Sequence, residues 1–444
     1  MNNKQTFGII GGGMLGMTLA FRLTQEGYKV TLFDAAPSFG GLASAWNTDG
    51  MTWDKFYHVI LLSDSYTRNL LKDLDLDKDM KWVETKTGFY TNGKLYSMSN
   101  TFEFLKFPPL NIIDKLRLGG TIFYTSKMKN WKKLEKITVE KFLRRLSGKK
   151  TFEKIWLPLL RAKLGDTYKK TSAAFIWATI QRMYSARKSG LKKEMFGYLP
   201  GGYARILEVF SSKLKESGVV LNSGFRAKTI YRSENNVNIE FSDGSKFKFD
   251  NVINTVPSSF IPEMIPDLSP EEIQKHSGIE YLGVICPNLI LKKAISPYYV
   301  TNITDPGVPF TGVIEMTALV NKSELKNKHL VYLPKYVQSN DPYFNKSDKE
   351  ISDQFIDYLL KMYPHLHLND IEHIEIARAR NVFALNQLNY SSNLPPVKSS
   401  VNGLYLLNSA HITNGTLNVN ETIQLAQEQL KEILDDVLQE YQEV

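Results

Sequence analysis

The sequence has almost no cysteine. Among its 444 residues only Cys286 carries a thiol, so no disulfide forms within the chain and a reducing compartment suits it. Cys286 lies in the apolar run GVICPNLIL and reads as a core residue. Histidine is scarce as well. Of the seven, only His365 and His367 lie close together, in what reads as a solvated loop, so no metal site is expected. There is no continuous apolar run of about 18 residues or more, which argues against a spanning helix. Met1 to Thr6 is polar, and the apolar stretch after it carries a glycine cluster in place of a cleavage site. A cytoplasmic protein without an export signal is therefore expected. G-x-S-x-G, a P-loop and the usual nucleic-acid modules are all missing, so nucleic acid is not an expected partner.

What is present suits a large globular protein. Hydrophobic residues make up 43% and aromatics 12%, and the length suggests about two or three domains. The net charge of +9 is unevenly spread. Between Lys127 and Lys150 stand ten Lys or Arg against two acids, Glu135 and Glu140, and the remainder is nearly neutral. Such a patch suits an anionic partner, whether a lipid surface or a phosphate-bearing substrate, or it is a solvated helical face.

The N-terminus carries the clearest pattern. FGIIG reads as a buried parallel strand. Gly11, Gly13 and Gly16 then satisfy G-x-G-x-x-G, with Met14 and Leu15 between the last two. Leu15, Leu19 and Leu23 recur at helical spacing, and Gly27 reads as the C-terminal stop. YKVTLFD is a second strand, closed by Asp34 and followed by Ala35. Each glycine has a physical task. Gly11 permits the tight turn, Gly13 lets backbone approach a pyrophosphate, and Gly16 lets helix and strand pack closely. The helix start offers N–H groups and a positive dipole end to phosphate. The Asp34 carboxylate is placed to accept from both ribose hydroxyls and repels a 2′-phosphate, which disfavours NADP.

Six residues past Asp34 comes a second pair, Gly40-Gly41, followed by Leu42 and Ala43. With this pair the chain resembles the flavin amine oxidase, protoporphyrinogen oxidase and phytoene desaturase superfamily. YLPGGYARILEVFSSKL resembles the family's Gly-Gly segment and helix. Val219 to Pro257 resembles its second nucleotide-side unit, with LNSGFRAKTIYR as a strand, a hairpin around Asp243-Gly244 and the strand NVINTVP. GLYLLNSAHITNGTLNVNETIQLAQEQL resembles the C-terminal flavin motif. The resemblance implies FAD as cofactor. Gly40, Gly41, Leu42 and Ala43 would line its pyrophosphate and ring, and backbone near Ala227 would meet the adenine. Leu417, Asn418 and Val419 would form a helix start aimed at the N1–O2 edge of the flavin, with Asn418 or Asn420 as cap. The match departs from the family at Ala36 and Leu42, where arginines are common. It departs again at Asn408-Ser409, where Gly-Asp or Gly-Glu is usual and the Ser409 hydroxyl would take over the hydrogen bonding.

The rest reads as a substrate region. By resemblance His58 falls beside the flavin ring, either moving protons or anchoring a polar substrate group, or serving structurally. Thr101 to Trp131 mixes apolar anchors such as Phe102, Leu105 and Ile113 with lysines. It reads either as an interfacial helix on an anionic membrane or as a cap packed on the protein's own core. Arg161, Lys163, Arg182, Arg187 and Lys188 decorate otherwise apolar helices, and Arg161 or Arg182 is the candidate to bind a carboxylate or phosphate. Strand-like runs after Pro287 precede a helix over Asp348–Met362, and Tyr298, Tyr299 and Tyr332 either line a cavity or pack.

The expected fold is α/β: a discontinuous Rossmann-like FAD-binding domain from residues 1–56, 198–260 and 400–444, with an inserted α+β substrate or cap domain from 57–197 and 261–399. The membrane alternative concerns the basic segment at 101–150 and would put the protein peripherally on the inner membrane face. The expected activity is hydride transfer from a carbon of a lipophilic or anionic small-molecule substrate to flavin N5. Two rivals remain: a non-redox flavoenzyme of the UDP-galactopyranose mutase type acting on a nucleotide sugar, and a flavin-binding protein without catalysis.

Overall fold

The computed structural model describes residues 5–185 and 194–442. Its organising element is a five-stranded parallel sheet with the spatial order Val220–Ser223, Lys29–Asp34, Thr6–Ile10, Asn251–Asn254, Leu404–Leu406. Three distant stretches of chain thus build one sheet. The central strand TFGII is apolar because both faces are covered, and Phe7 and Ile9 are fully buried. One face packs against the helices Met14–Gln25, Gly202–Glu216 and Val419–Gln442. The other carries an antiparallel three-stranded sheet, Ala227–Ser233, Asn236–Phe241 and Lys246–Phe249. Rings of Phe33, Phe225, Phe241 and Phe247 meet between these two sheets. The first helix ends as its glycine predicts: Gly27 takes φ +82° and Tyr28 N–H returns to Leu23 O at 3.1 Å.

Two expectations shift. LNSGFRAKTIYR is two strands, Val220–Ser223 and Ala227–Ser233, in different sheets. Gly224, at φ +83°, turns the chain between them. Residues 60–76, expected in the cap, send Ile60, Leu70, Leu71, Leu74 and Leu76 into the core that holds the first helix. Their apolar positions match a helical period, so sequence alone did not say which core they join.

The substrate side is a mixed sheet centred on Tyr281–Leu291, which is buried along its whole length and pairs antiparallel with Ile371–Ala384. Cys286 is buried here with its Sγ 3.6 Å from Asn288 Oδ1, and burial pushes the thiol far up, as suits a structural residue. The expected helix Asp348–Met362 covers this sheet and begins with a Ser347–Glu350 capping box. A helical layer between residues 101 and 185 packs around Phe107, Leu143, Phe152 and Trp156. Its helix Leu157–Leu164 lies against the strand Lys335–Gln338.

Candidate active site

The glycine turn has the geometry a dinucleotide needs. Gly11 takes φ +101°, and a Cβ on Gly16 would fall 1.9 Å from Gly11 O, so strand and helix touch where only glycine fits. Gly13 differs: a Cβ there would meet nothing nearer than Gly41 Cα at 4.0 Å. The two glycines face each other in close backbone contact at the start of the helix Met14–Gln25, which no side chain caps. The second glycine loop closes over it. Gly40 N–H donates to Gly12 O at 2.8 Å, and Gly40 and Gly41 take φ +123° and +56°. Leu42 and Ala43 follow in the single turn Gly41–Ala43. The Asp34 Oδ2 accepts from Gly12 N at 2.6 Å and its Oδ1 from Ala36 N at 2.7 Å, while Ala35 is exposed at the lip. Ala227 begins its strand nearby, because Phe225 N–H donates to Asp34 O at 2.9 Å. Uncapped helix start, facing glycine turns and strand-end carboxylate together fit a pyrophosphate and a ribose.

The C-terminal motif converges on the same region. Ser409 is half-buried just past the strand Leu404–Leu406. Beside it the Asn408 amide is buried, donating to Val256 O and Ser258 Oγ, each at 3.1 Å. Asn408 therefore ties two strand ends together and leaves Ser409 as the polar group at that edge. Asn418 Oδ1 accepts from Glu421 N at 3.0 Å and caps the helix that Val419 begins. Leu417 packs between the nucleotide-side core and the helical layer. Asn420, the alternative cap, serves another helix: its side chain accepts from Tyr66 N and Thr67 N at the start of Ser65–Asp73.

Two of the three candidate catalytic residues lie in a polar cluster beside this edge. His58 Nδ1 stands 3.6 Å from the buried Asp54, and its ring lies 4.8 Å from that of Tyr203. Asp54 Oδ1 accepts from Tyr203 N at 2.8 Å, anchoring the helix Gly202–Glu216. Arg182 donates to Asp64 at 3.1 Å. Burial raises Asp64 and Glu421, and the Arg182 guanidinium opposes both shifts, so these three groups share one environment. His58 Nδ1 and Arg182 Nη1 are both buried without a hydrogen-bond partner among the described residues. Arg161 does not join them. It is exposed, with its guanidinium 5.9 Å from the Tyr168 ring, because the helix Leu157–Leu164 turns that position to solvent. Arg187 and Lys188 lie outside the described residues.

The same helix turns Lys163 inward. Its Nζ sits 3.2 Å from the centroid of the Tyr336 ring, and Tyr336 and Tyr57 share a 2.9 Å hydroxyl hydrogen bond. Burial pushes the Lys163 ammonium down to about 7. Spacing had separated Lys163 from Arg161 on the helix, but it could not say which of the two faced in. Tyr299 and Tyr332 are buried packing residues, and the Tyr332 hydroxyl donates to Asp54 O at 2.7 Å. Tyr298 is half-buried against Gly88. No group of His, Cys, Asp and Glu among the described residues is arranged to hold a metal.

Known proteins share the family pattern and the fold of this chain. The family model described as flavin containing amine oxidoreductase matches residues 15–418. A zeta-carotene desaturase of Synechocystis is 23% identical over 270 residues, covering 50% of this chain and 55% of that protein. The chain spans about half the length of the curated relatives it matches. An oxidoreductase from Methanosarcina mazei has the same fold, with a TM-score of 0.74 and 16% identity over 96% of this chain and 100% of its own. A reduced UDP-galactopyranose mutase superposes with a TM-score of 0.74 and 16% identity over 97% of this chain and 94% of its own.

Proposed function

Because the chain belongs to the flavin containing amine oxidoreductases, with FAD as cofactor, we propose that it removes hydride from a carbon of an apolar substrate that carries an anionic end. When bound, the flavin ring supplies the hydride acceptor. The chain's own residues do the rest. The uncapped start of Met14–Gln25 and the facing Gly13 and Gly41 would hold the pyrophosphate, and Asp34 would hold the ribose. The start of Val419–Gln442, capped by Asn418, would offer its positive dipole end to the flavin and favour negative charge on it. His58 keeps Nδ1 without a hydrogen-bond partner near the buried Asp54 and takes or returns a proton. Lys163, set against Tyr336 and Tyr57, receives the anionic end and leaves the apolar body between helical layer and sheet.

The observation that carries this reading is the uncapped helix start at Gly13, faced by the glycine turn at Gly40-Gly41. The test is the visible spectrum of the purified protein, with the compound released by heat identified, followed by a screen of candidate substrates for bleaching. Bound FAD bleached by an apolar acid supports the proposal. Bound FAD that no substrate bleaches leaves a binding protein without catalysis. A colourless protein that takes up no added FAD refutes the site.

One observation favours a second reading. Arg182 pairs with Asp64 through one nitrogen and leaves Nη1 without a hydrogen-bond partner, and the Lys163 ammonium lies on an aromatic ring; a nucleotide-sugar diphosphate would engage both. Isomerisation of a UDP-sugar that needs a reductant yet oxidises nothing would establish that reading.

A further inference from the structure

The helix Ile112–Lys127 buries mostly polar side chains and exposes most of its large apolar ones. A helix on a globular surface turns its apolar stripe inward and its polar stripe to water. Here the buried positions are Asp114, Lys115, Thr121 and Thr125, with Leu118 the one apolar residue among them. The inward polar groups are provided for: Thr121 Oγ1 and Ser147 Oγ share a 2.9 Å hydrogen bond, and Lys115 Nζ donates to Leu105 O at 2.6 Å. The opposite stripe, spaced by three and four residues, presents Ile112, Ile113, Leu116 and Phe123 to solvent, with Leu116 67% exposed. The short helix Thr101–Lys106 just before it buries none of its side chains fully and adds Phe102, 64% exposed, and Leu105. Of the thirteen large hydrophobic residues exposed among the described residues, seven fall between positions 102 and 124. Scattered single residues would need no explanation, but a contiguous patch of this kind marks an interaction surface.

Charge identifies what covers it. Lys106 lies with Nζ 4.0 Å from the Phe102 ring, and Lys127 with Nζ 5.4 Å from the Phe123 ring, so cations flank both ends of the apolar stripe. The next turns expose Lys129, Lys132, Lys133 and Lys136. The acids of the same stretch are withdrawn. Asp114 and Glu135 are buried, and the half-buried Glu103 is engaged by Ser97 Oγ at 2.6 Å and Ser99 N at 2.8 Å. An apolar stripe fringed by lysines whose stems reach along it is complementary to acyl chains below anionic headgroups. A second protein would need matching acids around an apolar socket. A bilayer supplies the negative potential over any area.

We propose that the helices Thr101–Lys106 and Ile112–Lys127 seat the protein on an anionic phospholipid bilayer, with Phe102, Leu105, Ile113, Leu116 and Phe123 among the acyl chains and the lysines of 106–136 at the headgroups. No helix among the described residues is long and apolar enough to cross a membrane, so this contact is interfacial. The proposal does not depend on the substrate reading.

The experiment is flotation of the full chain with vesicles of phosphatidylcholine alone and of phosphatidylcholine with phosphatidylglycerol, at low and high salt. Binding is expected only to the anionic vesicles and weakens as salt rises. Leu116→Glu, at an exposed position, is expected to lower vesicle affinity at least about tenfold by removing a buried acyl contact and adding a repelled charge. Lys132→Gln and Lys133→Gln each lower it about fivefold. The melting temperature and flavin absorbance of all three variants are expected to match the parent, which separates this test from that of the cofactor site. Absence of binding at low salt overturns the proposal, as does equal binding to phosphatidylcholine alone or unchanged binding by Leu116→Glu. A dimer that Leu116→Glu dissolves, in a protein that ignores vesicles, overturns it too and assigns the face to a second copy of the chain.

Discussion

Two glycines of one motif, three residues apart, should fail in opposite ways when each receives a methyl group. At Gly16 the added Cβ would stand 1.9 Å from Gly11 O, where contacts under 3.0 Å essentially never occur. The obstacle is backbone, so the helix must move away from its strand by more than an ångström. Overpacking of this kind costs about 1–3 kcal/mol or more, and the motif's shape is lost with it. At Gly13 the added Cβ meets only Gly41 Cα, at 4.0 Å, and the backbone already lies at φ −72°, which alanine adopts freely. The small loss of glycine at a helix cap and the gain from a stiffer unfolded chain nearly cancel, within about 0.5 kcal/mol. The Gly13 methyl does occupy the space where phosphate approaches the helix start. Losing one charge-assisted hydrogen bond costs about 1.5–3 kcal/mol, so FAD binding should weaken about tenfold to about a hundredfold. The assay is thermal unfolding of the flavin-free protein beside fluorescence titration with FAD. Gly13→Ala should keep the parent's melting temperature and lose affinity, and Gly16→Ala should lose both. A Gly13→Ala protein that binds FAD like the parent, or a Gly16→Ala protein as stable as the parent, would refute the assignment.

Other predictions concern buried polar groups. The folded Lys163 titrates at about 7, below its ordinary 10.5, so its charge is a burden on the fold below pH 7 that fades as pH rises toward 10.5. Lys163→Met should therefore be more stable than the parent at pH 6, by at most about 5 kcal/mol, with the advantage shrinking above pH 7 in denaturant titrations at several pH values. His276 is buried with neither ring nitrogen hydrogen-bonded, and burial pushes it down to about 4 from 6.5. The parent should lose up to about 3 kcal/mol as pH falls from 6.5 to 4, and His276→Phe should flatten that slope in acid unfolding curves. Asp54→Ala removes the buried acceptor of Tyr203 N and should cost about 2–3 kcal/mol, while Asp54→Asn keeps an acceptor there and should recover most of it in urea titrations.

The features legible in the sequence are those whose physics is local. Gly11, Gly13, Gly16 and Asp34 lie within one strand–helix–strand unit, where turn geometry and helix termination act over a few residues, and the helix Asp348–Met362 announces itself by its Ser347–Glu350 box. What stayed hidden depends on partners far along the chain. Asn420 and Asn418 are equal candidates to cap one helix until the structure brings Tyr66 N beside Asn420. Lys163 and Arg161 differ in function only because the strand Lys335–Gln338 crosses one side of their helix. The exposed apolar stripe of Ile112–Lys127 is also illegible, since a threonine stripe and an isoleucine stripe share one period and only the packing says which faces in.

The parallel sheet sets a timetable for synthesis. Its central strand, residues 6–10, and its neighbour at 29–34 are made first, with both faces apolar. Their remaining partners are at 220–223, 251–254 and 404–406. At about 5–20 residues per second the last of these leaves the ribosome roughly 20 to 70 s after the first pair. Until then the glycine turn has only part of its sheet to brace it, and the helix Val419–Gln442 does not yet exist. Flavin capture is thus a late event in the life of the nascent chain. Ribosomes stalled before residues 404–406 would release a product with an open sheet edge, a substrate for chaperones and proteases.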